Sequence, residues 1–112
     1  MSRTFAALAD PTRRALLERL SNGELGVVEL ARGTTMTQPA ITKHLKVLEH
    51  AGLVSRSRVG QRRPARLRLG GLDEADAWMR RARGEWMARL DRLESHLSNL
   101  NSPPTTEEPL DA

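Results

Sequence analysis

Five polar residues near the start of one helical pattern have side chains that suit nucleic acid. The segment TQPAITKHLKVLEHAGLV begins at Thr37 and places Gln38, Thr42, Lys43 and Lys46 among apolar residues. Amide and hydroxyl side chains hydrogen-bond the edges of DNA bases, and lysine ammonium groups neutralise phosphates. The first turn of a helix also attracts anions through its free backbone N–H groups. These residue types predict a helix whose leading face contacts a nucleic acid.

An apolar stripe in the same segment predicts how that helix is held. Ile41, Leu45 and Leu48 follow one another at the spacing of a single helix face. Thr37 is a suitable N-cap, and Pro39 then falls in the first turn, where a missing N–H breaks no intrahelical hydrogen bond. The proline should therefore stiffen the start of the helix while the apolar stripe faces the core.

Positive charge is concentrated around and after this helix. Residues 37–69 contain eight basic residues and one acidic residue, a net charge of +7, whereas the whole chain carries +4. Cations gathered in one segment indicate a polyanionic partner. A solvated basic surface is the alternative that a charge run alone would favour, and the surrounding elements shift the balance towards double-stranded DNA.

Three short helices are expected before the cationic one. Residues 5–8 suggest the first, and Asp10 followed by Pro11 is typical of the capped start of a second. A brief third helix is predicted at about 25–32, followed by a tight turn at 33–36. Two short helices joined by such a turn, the second with a cationic leading face, predict a helix-turn-helix.

A β-hairpin is predicted after the helix-turn-helix. The period changes from 3.6 to 2 at residues 53–58 and 65–69, with a longer loop between them. A hairpin in this place is a wing, and Arg62 and Arg63 at its tip are well placed to straddle a phosphate backbone or to enter a minor groove.

A long last helix, from a cap at Asp73 to about Leu100, carries an apolar seam with steps of three and four residues. Its length of roughly 40 Å is too great to be buried on so small a body, so we expect a homodimer contact rather than packing within one subunit. The expected dimer interface comprises Phe5, Leu8, Trp78, Met79, Ala82, Trp86, Leu90, Leu93 and Leu97. The predicted fold is thus mainly α with a small β-hairpin: a winged helix-turn-helix, dimeric through a long C-terminal helix.

Several kinds of chemistry are not expected from this sequence. The chain has no cysteine, which excludes disulfides, thiolate metal sites and thiol nucleophiles. It has no zinc-protease, nucleophile-elbow or phosphate-loop motif, so we expect no enzyme and no cofactor. No apolar run is long enough for a signal peptide or a membrane span, which predicts a cytoplasmic protein with no membrane partner. Residues 1–100 are expected to form one domain, and 101–112 a disordered acidic tail.

Taken together, these motifs resemble the ArsR family of bacterial winged-helix repressors over about residues 4–100. The resemblance rests on LADPTRRALLERL, ELGVVELA and TQPAITKHLKVLEHAGLV, followed by the arginine-rich hairpin. It implies a dimeric winged helix whose paired recognition helices read an inverted-repeat operator. Residues that the resemblance and the side-chain chemistry assign to DNA are Thr37, Gln38, Pro39, Thr42, Lys43, His44, Lys46, Arg56, Arg58, Arg62, Arg63 and Arg66.

The chain departs from that family's metal-binding motifs. Where one family site has Glu-Leu-Cys-Val-Cys-Asp, this sequence has Glu24-Leu25-Gly26-Val27-Val28-Glu29, and the last helix contains His96 as its single histidine. The sequence therefore resembles a branch without metal sites. Two alternatives stay open: a winged helix used for contact with an acidic protein, and a regulator that senses metal through an unrecognised site. The inducing signal is also open, with a small molecule near Trp78 and Trp86 as one possibility.

Overall fold

The computed structural model describes residues 1–101 and contains five helices and two strands within that range. Helix α1 spans Ser2–Leu8, α2 Pro11–Leu20, α3 Val27–Ala31, α4 Gln38–His50 and α5 Gly70–Asn101. Strands β1 (Val54–Arg56) and β2 (Ala65–Leu67) form an antiparallel hairpin in which Val54 is opposite Leu67 and Arg56 is opposite Ala65. The predicted mainly helical fold with a small hairpin is confirmed.

The chain divides into two compact units, with the boundary between Ala77 and Trp78. The first unit holds α1–α4, the hairpin and the first residues of α5, and it contains one hydrophobic cluster. The buried members of that cluster are Ala7, Leu16, Leu20, Leu30, Ile41, Leu45, Leu48, Ala51, Leu53, Val54 and Ala65. Leucine from every helix from α2 to α4 contributes, so this small domain holds its elements together mainly through aliphatic packing.

The predicted helix starts on α2 and α4 are confirmed by their caps. The Asp10 carboxylate accepts a hydrogen bond from the Arg13 backbone N–H at 3.0 Å, and the Thr37 hydroxyl accepts one from the Ala40 N–H at 3.3 Å. Each cap satisfies a backbone donor that has no partner inside the helix. The stripe predicted for α4 is also buried: Ile41, Leu45 and Leu48 are completely inaccessible to solvent.

Helix α3 is shorter than the predicted 25–32, and its first expected residue belongs to another element. Leu25 pairs with Ala65 of β2 through two backbone hydrogen bonds of 3.1 and 2.8 Å. Gly26, in extended conformation, is the N-cap, so the helix begins only at Val27. The hairpin thus gains a backbone partner from the segment before α3, which local periodicity could not indicate.

The hairpin and α5 also differ from the predicted bounds. The strands are three residues each, shorter than the predicted 53–58 and 65–69, and Leu69 lies beyond β2 and is exposed. The expected loop is itself paired, because Val59 and Arg62 exchange backbone hydrogen bonds of 2.9 and 3.0 Å. Helix α5 begins at Gly70, which places Asp73 in its first turn rather than at its cap. Asn101, which was expected to begin the disordered tail 101–112, is instead the last residue of α5, and the remainder of that predicted tail lies outside the described residues.

Close backbone packing explains the early start of α5. The Gly71 N–H donates to the Gly52 carbonyl at 3.1 Å, and the Thr4 hydroxyl donates to the Gly71 carbonyl at 3.1 Å. A Cβ atom on Gly71 would lie 2.6 Å from the backbone of Gly52, so only glycine fits. Gly52 has φ +75°, a left-handed conformation that ends the α4 segment and turns the chain towards β1.

Candidate nucleic-acid interface

The start of α4 presents the polar residues that the sequence assigned to DNA. Gln38, Pro39 and Lys43 are exposed, and Thr42 is half-buried, while the buried stripe of this helix lies on its other side. Lys46 is exposed one turn further along. Because the Thr37 cap and Pro39 fix the first turn, the side chains that follow are presented from a rigid backbone.

A groove of about 930 Å³ lies between α3, the start of α4 and the hairpin. We call it the wing groove. Its lining residues are Gly26, Val27, Val28, Glu29, Arg32, Gln38, Pro39, Thr42, Arg56, Gln61, Arg62 and Arg63. Four of these side chains are cationic and one is acidic. Gln38 and Thr42 contribute an amide and a hydroxyl from α4, and Arg56, Arg62 and Arg63 contribute guanidinium groups from the hairpin.

Arg56 lies deeper in the wing groove than the other arginines. Its guanidinium donates from Nη2 to the Arg63 carbonyl at 2.7 Å, which ties β1 to the loop that precedes β2. Burial lowers the pKa of Arg56 from its ordinary value, the neighbouring charge of Arg63 adds to this, and Glu49 opposes it. The side chain stays protonated, as arginine does in proteins. Its Nε is buried with no hydrogen-bond partner among the described residues, so the charge is only partly satisfied by this protein.

The wing arginines differ in what they already contact. Arg58, Arg63 and Arg66 are exposed, the last of them opposite Ser55 in the hairpin. Arg62 is mostly exposed, yet its Nη2 donates to the Glu29 carboxylate at 2.6 Å. The structure therefore brings most of the predicted wing cations to the surface and places one of them in an ion pair that the sequence did not predict.

His44 faces the body of the domain rather than the wing groove. Its Nδ1 lies 3.4 Å from the Arg13 Nη1 and 3.8 Å from the Asp10 carboxylate. Arg13 also donates to the carbonyls of Ala6 and Ala7 at the end of α1, at 2.9 and 2.8 Å. His44 thus joins α4 to the junction of α1 and α2, and its predicted approach to phosphate stays a prediction.

Two supporting side chains could not be found from the sequence. Arg19 on α2 donates to the carbonyls of Glu29 and Leu30 in the last turn of α3. The Glu29 carbonyl also accepts the backbone N–H of Arg32, the C-cap of that helix, at 3.3 Å. Glu29 then reaches the wing through Arg62, across 33 positions of the chain. Both contacts are tertiary, and no local pattern around either residue signals them.

The seam predicted on α5 is present and largely open to solvent within the second unit. Trp86, Leu90, Leu93, Leu97 and Leu100 are each about half exposed or more. Trp78 and Trp86 meet edge to face with ring centroids 6.4 Å apart, and Ala82 between them is buried. From the first unit, Phe5 is half-buried and Leu8 packs against the core cluster. The seam, with Phe5 and Leu8, stays a predicted interface.

The described residues offer neither a metal-binding cluster nor a membrane-spanning helix. Among residues 1–101, no three or more His, Cys, Asp or Glu side chains come together in a way that could hold a metal ion. No helix in that part of the chain is long and apolar enough to cross a membrane.

A buried helix-turn-helix stripe, a polar leading face and a cationic hairpin beside it define a winged-helix DNA-binding protein. A model of the arsR family of bacterial regulatory proteins matches residues 10–56. The chain is 50% identical over 70 residues to the HTH-type transcriptional regulator Rv2034 of Mycobacterium tuberculosis, a match covering 62% of this chain and 65% of that protein. It is 33% identical over 79 residues to the transcriptional repressor SdpR of Bacillus subtilis, covering 70% of this chain and 88% of SdpR.

Solved structures agree with these sequence matches. The ArsR family transcriptional regulator RHA00566 superposes with a TM-score of 0.71 at 36% identity, covering 77% of this chain and 89% of that one. A homodimeric winged helix-turn-helix domain of Mb0332 from Mycobacterium bovis gives a TM-score of 0.57 at 26% identity, covering 96% and 85%. The chain belongs to the arsR family of bacterial regulatory proteins, which are transcriptional regulators rather than enzymes.

Proposed function

We propose that this protein is a sequence-specific repressor that binds an inverted-repeat operator as a homodimer, with the start of α4 in the major groove. The observation that carries the proposal is the wing groove, which has Gln38 and Thr42 on the α4 wall and Arg56 and Arg63 on the wing wall. Amide and hydroxyl groups discriminate between bases, and arginines bind the phosphates on either side.

Dimerisation supplies the second half of this site. The exposed seam on α5 repeats at steps of four and three residues from Trp86 to Leu100, which is the pattern of a two-helix seam. The proposed second copy would cover those side chains, as large apolar stripes on soluble domains are usually covered. The similar winged-helix domain of Mb0332 is homodimeric, which supports the same assembly here.

Repression would follow from occupancy of a promoter. Two α4 helices related by a twofold axis would enter major grooves about one helical turn, or a small multiple of it, apart. A dimer bound in this way excludes other proteins from the same DNA, and a promoter before the protein's own gene is the first candidate. SdpR is named a transcriptional repressor, which supports repression rather than activation.

The first test is binding of purified protein to the duplex upstream of its own gene, against a scrambled duplex of the same length. We expect preferential binding to the upstream duplex with a steep loss of affinity as salt is raised, because phosphate contacts release counterions. Added zinc should leave the affinity unchanged. Weak and equal binding to both duplexes would contradict the proposal and favour the protein-contact alternative.

Two variants separate base reading from phosphate binding. Arg63→Ala should weaken binding to the upstream and scrambled duplexes by a similar factor, because phosphate carries no sequence information. Gln38→Ala should also reduce the preference between them, by about 1–3 kcal/mol if its amide bonds a base edge. Equal losses on both duplexes for Gln38→Ala would remove Gln38 from the reading face.

A further inference from the structure

The wing groove is lined by one acidic residue, and its presence beside the proposed position of the DNA requires an explanation. Among the residues of the described chain that line the wing groove, Glu29 is the single acid beside four arginines. A carboxylate there repels DNA phosphates, and the proposed function, on which this inference rests, gives it no role.

The Glu29 side chain is held in a defined place. Its Oε1 accepts a hydrogen bond from the Arg62 Nη2 at 2.6 Å. Its Oε2 lies 2.9 Å from the position that a Cβ on Gly26 would occupy, so the absent side chain of Gly26 lets the carboxylate fold over the start of α3. Its backbone carbonyl accepts a hydrogen bond from Arg19 at 2.7 Å. Hydrogen bonds therefore hold both the backbone and the carboxylate of Glu29, and the carboxylate points towards the hairpin.

Attachment of the wing does not depend on this ion pair. The Leu25 and Ala65 backbones already join the segment before α3 to the hairpin, with hydrogen bonds of 3.1 and 2.8 Å. The Arg62 side chain is 74% exposed and that of Glu29 27%, and ion pairs with so exposed a member stabilise a fold little. What the pair does change is the charge that Arg62 offers to an incoming phosphate.

We propose that Glu29 neutralises Arg62 in the free protein and is displaced from it by a phosphate of the DNA backbone. Displacement leaves a carboxylate facing the wing groove, where it attracts a cation from solution. Binding of Arg62 to the phosphate releases one cation from the DNA, and the freed Glu29 carboxylate takes up one cation from solution. The net number of ions released on binding is therefore smaller than it would be without Glu29. Glu29 thus lowers the affinity for all DNA sequences alike and flattens the salt dependence of binding.

Glu29→Gln tests this proposal, with Glu24→Gln as its matched control. Glu24 is an exposed glutamate on the same segment, and it lines a smaller neighbouring cavity together with Glu29 and Arg62. Among the described residues it forms no ion pair with Arg62, which pairs with Glu29 instead. Glu29→Gln should bind the upstream and the scrambled duplex about five-fold more tightly, and the slope of log K against log salt should steepen by about 0.9. Glu24→Gln should leave that slope at the wild-type value.

A second pair of variants shows whether Glu29 acts through Arg62. In an Arg62→Ala background, Glu29→Gln should lose most of its effect on the affinity and on the salt slope, because only the weaker direct repulsion between carboxylate and phosphate remains. The same full gain in that background would mean that Glu29 acts by repelling the phosphate directly, and it would overturn a role through Arg62. Weaker binding by Glu29→Gln would overturn it too, because the carboxylate would then prepare Arg62 for DNA instead of competing for it.

DNA binding by the wild-type protein distinguishes failure of this inference from failure of the proposed function. Preferential binding of the upstream duplex, with Glu29→Gln and Glu24→Gln indistinguishable, overturns the role of Glu29 alone. No preference by the wild-type protein overturns the proposed function and this inference with it.

Discussion

Helices α4 and α5 carry similar apolar stripes that differ in their exposure to solvent. On α4, Ile41, Leu45 and Leu48 are completely inaccessible to solvent. On α5, Leu93 and Leu97 follow the same kind of spacing but remain 54% and 49% exposed. Periodicity therefore identifies a face that needs to be covered, and it does not tell whether the same chain or another one covers it.

The difference assigns distinct roles to the two stripes. The α4 stripe stabilises the first unit and fixes the polar face on the opposite side of the same helix. The α5 stripe contributes little to a single chain while it stays in water, since the hydrophobic effect acts only on area that is removed from solvent. Breaking the first stripe should unfold the domain, and breaking the second should separate two copies.

The largest expected effect is on the α4 stripe. Leu45→Ala should lower the free energy of unfolding by about 2–5 kcal/mol, because it removes a buried side chain and leaves a cavity. Urea denaturation followed by circular dichroism measures this loss. Val47→Ala is the matched control, because Val47 is on the same helix two positions away and is 38% exposed. Similar losses in the two variants would contradict the distinction between the faces of α4.

The α5 stripe should respond in assembly rather than in folding. Leu93→Glu would place a carboxylate in each half of the proposed seam, and we expect it to raise the dimer dissociation constant about 100-fold. Sedimentation velocity over a concentration series measures the change. Ser95→Glu adds the same charge on the opposite, polar face of α5 and should leave the dimer intact.

Circular dichroism of Leu93→Glu completes the comparison of the stripes. A folded monomer with a nearly unchanged first unit is the expected state. Operator binding by that variant should weaken strongly, because a monomer reaches only one half-site. A dimer that persists in Leu93→Glu would show that the α5 seam is not where two copies meet.

Elements defined by local chemistry could be predicted from the sequence. The caps at Asp10 and Thr37, the stripe of α4 and the change of period at the hairpin are each determined by residues within a few positions of one another. Predictions of this kind were right in type, although the two strands are shorter than the predicted ranges. The predicted α5 seam was likewise found, since its spacing repeats along the helix.

Contacts between distant segments could not be predicted in this way. The pairing of Leu25 with Ala65 shortened α3, and the Glu29–Arg62 pair joined positions 33 apart. The contacts of His44 with Arg13 and Asp10 are of the same long-range kind, and the sequence did not indicate them. The wing groove is formed by segments that are distant in the sequence. The sequence could therefore predict that arginines line it, but not which of these arginines are already paired with another side chain.

The smallest expected effect concerns the first turn of α5, which lies in the first unit. Gly71→Ala should lower the free energy of unfolding by about 1–3 kcal/mol, because a Cβ there would lie 2.6 Å from the Gly52 backbone, which cannot move aside as a flexible side chain could. Gly70→Ala is the control one residue earlier, where a Cβ meets nothing within 4 Å, and it should be neutral or slightly stabilising. Thermal unfolding of both variants checks the pair. Equal stability of Gly71→Ala and Gly70→Ala would mean that the start of α5 can shift away from Gly52. The first turn of α5 would then not be fixed by packing, and it would no longer differ in this respect from the exposed seam.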